Sequence, residues 1–172
     1  MTKFIFYCIL LIALFIVQIS VLPYFYFYGS SANVLFVAAV FFAFYMFDFR
    51  DLMIFSFVSA MLVDFYSGYP FGVLLVSFLV AIATTHFMAR NIFGKANFAI
   101  ATFGTAIASV VYFVLSMSGL KIIDIWDVES DVLLHVDKSF IVAALITIVL
   151  NLLLAVILHF PLKKYLYSLE KK

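Results

Sequence analysis

Asp64-Phe65-Tyr66-Ser67-Gly68-Tyr69-Pro70-Phe71-Gly72 separates two apolar runs, Leu52 to Val63 before it and Val73 to Ala83 after it. Glycine and proline interrupt helices and let a chain reverse, so Gly68 and Pro70 mark a turn. The stretch predicts a tight hairpin between two membrane-spanning helices, turning through Ser67, Gly68, Pro70 and Gly72. One carboxylate, Asp64, stands just ahead of the turn. A helix C-terminus disfavours negative charge, and hydrocarbon makes an ionised group costly, so Asp64 needs compensation. A cap across the turn supplies it: the carboxylate accepts backbone N–H bonds around Phe71 and Gly72, at the start of the next helix. The rival is a salt bridge to Lys121, Lys138 or a cation on a partner protein.

The composition around this hairpin sets the solvent. The 172 residues are 68% hydrophobic and 11% charged, with 23 phenylalanines and a mean hydropathy of +1.27. A water-soluble domain of this size has too little interior for so much apolar surface. In lipid every backbone polar group must be satisfied internally. The apolar runs are too long for barrel strands and lack strict alternation, so helices are expected. At roughly 20 residues per crossing the chain fits an all-α membrane protein, a six-helix transmembrane bundle in a single domain.

The expected helices cover about 4–22, 33–47, 52–66, 71–88, 98–119 and 140–160. Pro23 closes the first and Pro161 the last. The rival for the first is a cleaved signal peptide, whose apolar core is usually shorter, about 7–15 residues. The Tyr24 to Tyr28 aromatic band that follows suits a headgroup belt. Cys8 lies in an apolar run and is expected as a small buried hydrophobe. Gln18, Thr147 and Asn151 are expected to make interhelical polar contacts. Ser56 and Ala60, four apart, form a small face on helix three, and Gly104 with Ala108 does so on helix five. That second face suggests a helix in the middle of the bundle, or a dimerisation surface. His86, beside Arg90, is expected as an interfacial side chain and not a metal ligand or proton relay.

Residues 121–138 form the longest polar segment, an acidic loop containing Asp124, Asp127, Glu129, Asp131 and Asp137. Its apolar residues recur at helical spacing, as in a surface amphipathic helix. Asp127, Asp131 and His135 share one face; a solvated face is preferred over a metal site. Charge orients the whole. With six crossings, eight of the ten basic residues (Lys3, Arg50, Arg90, Lys95 and four in the tail) fall on one side, and Lys121 and Lys138 on the other. The positive-inside rule makes both termini cytoplasmic.

Net charge is +1, which gives no case for nucleic-acid binding. Pumps and channels usually need several polar groups near the midplane, and these spans are nearly free of them. No nucleophile with an acid–base partner, phosphate-binding glycine loop or metal-spaced His/Cys cluster is visible. The residues therefore point to a non-catalytic membrane scaffold, with no cofactor and no metal.

The segment Ser59-Ala60-Met61-Leu62-Val63-Asp64 through Gly72-Val73-Leu74-Leu75 resembles the signature region of the MreD family of rod shape-determining membrane proteins. A small residue, a leucine-rich run, an Asp, a short turn and a Pro-hydrophobic-Gly follow in that order. Gln18-Ile19-Ser20 and Asn33-Val34-Leu35 are similar to it as well. Two departures stand out: Ala32-Asn33 where the family usually has Pro-Asp, and Ser59 or Ala60 where it commonly has Gly. The resemblance implies a multi-pass protein of the bacterial cytoplasmic membrane. Its partners would be the single-span MreC and, through the complex, MreB and the peptidoglycan synthases of cell elongation. It also implies a fold similar to the S component of energy-coupling-factor transporters. That similarity supplies the alternative, a small-molecule-binding subunit of a vitamin importer, for which a polar, aromatic-lined outer cavity is expected.

Overall fold

The computed structural model describes residues 2–27, 30–45, 48–93, 97–126 and 138–170. Within them the chain is all-helical: α1 (Thr2–Ser20), α2 (Val34–Tyr45), α3 (Phe49–Ser67), α4 (Val73–Met88), α5 (Phe98–Trp126) and α6 (Lys138–Glu170). Pro23 sits at the start of a 3-10 turn, Leu22–Phe25, and a π turn, Ala89–Phe93, extends α4.

The middle of the bundle is α2, not α5 as the small-residue face suggests. Its sequence, VLFVAAVFFAFY, is apolar on every side, and a helix of that kind must be surrounded. Val34 through Ala43 are all buried, and α2 packs against each of the other five helices. Gly104 and Ala108 of α5 are both buried inside the bundle. Gly104 lies against the Phe44 ring, so close that a Cβ there would overlap it. Edge-to-face packing ties the layers further, with the Phe36 and Phe78 ring centroids 5.2 Å apart. On α3, Ser56, Ser59 and Ala60 are fully buried, and small side chains there allow close approach.

Two expected stops are not stops. Gly119 lies inside α5, which runs on to Trp126. Its role is proximity: a Cβ there would stand 2.9 Å from Val73 Cγ1 of α4. Likewise α6 continues through Pro161 to Glu170. Proline removes one backbone hydrogen bond, and a helix spans that gap where neighbouring groups re-satisfy the freed carbonyl. The start of the 121–138 loop thus belongs to α5. The remaining 127–137, including the Asp127, Asp131 and His135 face, lies outside the described residues, as do Met46, Phe47 and Lys95. Cys8 is exposed, not buried, on a helix that presents Ile9, Ile12 and Ile16 outward.

Among the described residues, three helices are long and apolar enough to cross a membrane: Val73–Phe93, Phe98–Ile123 and Val142–His159. The central helix α2 has 12 residues, about 18 Å at 1.5 Å per residue, against roughly 30 Å of hydrocarbon. The 19-residue α3 is long enough, but Arg50, Asp51 and Asp64 lower its apolar character.

Candidate functional site

Asp64 lies one turn from the end of α3 and is 2% exposed. Its carboxylate reaches across the hairpin to the start of α4. Oδ2 accepts the Gly72 N–H at 2.6 Å and Oδ1 accepts the Leu74 N–H at 3.1 Å. The second donor is Leu74 instead of Phe71, because α4 begins at Val73. The first N–H groups of a helix lack intrahelical partners, and the positive end of the helix dipole favours an anion. A carboxylate badly placed for its own helix is thus well placed for the next. Among the described residues it is met by backbone N–H groups and by no cation.

The turn is built to make that reach possible. Gly68 ends α3 with φ 72° and Gly72 precedes α4 with φ 98°, both in the left-handed region that glycine enters most readily. Ser67 Oγ donates to the Asp64 carbonyl at 2.8 Å and accepts the Tyr69 N–H at 3.2 Å. The Pro70 carbonyl accepts the Val73 N–H. Phe65 and Phe71, with centroids 5.1 Å apart, pack across the hairpin.

A second helix start is held the same way. Gln18 of α1 accepts the Val34 N–H through Oε1 at 2.8 Å and donates from Nε2 to the Ala32 carbonyl at 3.2 Å. Asn33 caps its own helix through the Phe36 N–H. Asn151, 1% exposed on α6, accepts the Asn33 N–H at 2.9 Å and donates to Ser109 Oγ of α5 at 3.3 Å. Asn151 is therefore the interhelical polar contact expected of it. Thr147 is not: its hydroxyl bonds the Ala143 carbonyl of its own helix. At the other end of α4, His86 Nδ1 lies 3.2 Å from the Ala43 carbonyl and its ring packs on Phe49, while Arg90 is exposed in the π turn.

Both capped starts border one half-open cavity of about 360 Å³. Rings line much of it: Tyr26, Tyr66 and Tyr69, which are exposed, and Tyr112 and Phe113, which are half-buried. Gln18, Asn33, Ser67 and Leu74 join them. The cavity is not legible in the sequence as an assembly. Its one signal there is the aromatic band 24–28, which reads equally well as a headgroup belt. Among the described residues, no group of three His, Cys, Asp or Glu stands close enough to hold a metal.

No protein-family model matches the chain, and no curated protein or solved structure matches it significantly.

Proposed function

We propose that this chain is a non-catalytic scaffold of the bacterial cell-elongation complex, similar to MreD. It crosses the cytoplasmic membrane six times with both termini inside. It works by contact, linking a single-span MreC-like protein and the MreB cytoskeleton to peptidoglycan synthesis. One observation carries the reading. The residues that bear the resemblance are spent on shaping one end of the bundle: Asp64 caps α4, Gly68 and Gly72 take left-handed turns, and Gln18 and Asn33 hold the start of α2. Such a signature specifies a shaped surface, which is what a scaffold offers its partners. Outward-facing Ile9, Ile12 and Ile16 on α1, and Ile54, Phe57 and Val58 on α3, support lipid contact by those helices too. The test is affinity purification from native membranes together with depletion. A co-purifying single-span partner and rounding of depleted cells are expected; normal morphology and wall synthesis after depletion would defeat the reading.

The cavity favours a second reading, a solute-binding membrane subunit. Its volume falls within the range of small-molecule sites, about 300–1,000 Å³, and its aromatic lining suits a ligand. Mass spectrometry of gently extracted protein tests this directly: a stoichiometric small molecule supports it, and its absence from protein extracted at several detergent strengths opposes it.

A further inference from the structure

We propose that the cavity at the capped end is selective for a small organic cation with an apolar body, a quaternary or protonated amine. The proposal rests on the solute-binding reading in requiring that the cavity admit a solute, and adds the ligand's charge.

Three observations converge. First, the lining side chains carry no formal charge, and among the described side chains the buried Asp64 carboxylate stands directly behind them. Val63 and Ser67, which flank Asp64 on α3, line the cavity, and so does Leu74, whose N–H the carboxylate accepts. Asp64 is buried one layer back and has no cationic partner among the described residues. Lys121, next in sequence to the lining Leu120, is exposed and does not line the cavity. The carboxylate carries a full charge against about half a unit at the helix start it caps, and burial in low dielectric leaves it weakly screened, so the α4 side of the cavity is net negative.

Second, the walls are tyrosine-rich. Tyr26, Tyr66, Tyr69 and Tyr112 surround the space, and the negative face of an aromatic ring attracts a cation within about 6 Å.

Third, much of the amide, serine and threonine lining is already committed. The Gln18 amide is bonded to the backbone at the start of α2, and the hydroxyls of Ser30, Ser67, Ser116 and Thr147 donate to backbone carbonyls. A ligand read through a set of hydrogen-bonding edges, such as a sugar, is left with donors mainly on the tyrosines, Ser31 and Asn33. A ligand read by charge and by ring faces needs none.

Benzyltrimethylammonium and its uncharged carbon isostere neopentylbenzene share shape and differ in charge, so together they isolate the effect of charge. Binding of each to the full-length protein in lipid nanodiscs is measured by saturation-transfer NMR and competition. Saturable binding of the cation is expected, with the isostere weaker by about tenfold or more. In a Tyr26→Leu, Tyr69→Leu double variant of unchanged melting temperature, cation affinity is expected to fall by a similar factor. Equal or tighter binding of the isostere overturns cation selectivity but leaves the solute-binding reading standing. Saturable binding of neither probe overturns both. Cation binding unchanged in the double variant places the probe elsewhere and overturns the assignment to this cavity.

Discussion

The Phe44 ring of α2 occupies the space that a methyl group on Gly104 of α5 would need. The missing side chain lets α5 lie against the central helix. Gly104→Ala forces the ring or the helix aside, an overpacking that costs about 1–3 kcal/mol. Pairing it with Phe44→Leu should recover part of the loss. Thermal unfolding of the single and double variants checks this, and a Gly104→Ala protein as stable as the parent is the contrary result.

Asp64→Ala leaves the Gly72 and Leu74 N–H groups without their acceptor at a buried site. At about 1–3 kcal/mol for each of the two orphaned groups, a loss of roughly 2–6 kcal/mol is expected. Asp64→Asn keeps one acceptor oxygen but turns an NH₂ toward the other N–H, so it should fall between Ala and the parent. Denaturant unfolding in mixed micelles gives the order. A neutral Asp64→Ala would mean that α4 starts without this cap.

Space around Gly68 and Gly72 is open, with nothing within 4 Å of where a Cβ would stand, so substitution there costs backbone strain alone. Gly68→Ala and Gly72→Ala should each lose about 1–2 kcal/mol. Asn tolerates the left-handed region better than Ala, and Gly68→Asn should recover most of that loss. Equal effects of Ala and Asn at residue 68 would argue against the left-handed turn.

The hairpin is legible in the sequence because its punctuation is local: Gly68 and Pro70 between two apolar runs admit few other structures. The need for a cap at Asp64 is legible for a similar reason, since a carboxylate at the end of one helix lies naturally beside the start of the next. What the sequence hides depends on distant pairings. Asn151 meets Asn33 from 118 positions away, and the cavity requires Tyr26 and residues 30–33 to stand beside residues of α5 and α6. Gly119 misleads because a local preference for ending helices yields to packing, as its contact with Val73 illustrates, and α6 likewise runs through Pro161. Small residues on α5 mark where a neighbour comes close, and so point to the wrong centre. The all-round apolarity of α2 marks which helix is enclosed.

Ser56 and Ser59 are fully buried, and their hydroxyl oxygens have no hydrogen-bond partner among the described residues. Their small size serves α3 packing while the hydroxyls carry a desolvation cost. Ser56→Ala and Ser59→Ala should each stabilise the protein, by about 1 kcal/mol. Calorimetry of the two variants measures the shift, and destabilisation by either would show that its hydroxyl has a partner in the membrane.

Asn151→Leu removes the acceptor of the Asn33 N–H and the link to Ser109. A loss of about 1–3 kcal/mol is expected, with faster hydrogen exchange at the start of α2. Unchanged exchange at Asn33 and Val34 would detach Asn151 from that cap.

The sidedness of the Asp64 hairpin tests the proposed six-crossing scaffold most sharply. In a Cys8→Ser background, single cysteines at residues 2, 69 and 172 are labelled in intact cells with a membrane-impermeant maleimide. Six crossings with both termini inside predict labelling of residue 69 from outside, and of residues 2 and 172 only after permeabilisation. Labelling of either terminus from outside, or protection of residue 69 along with the termini, would contradict that topology.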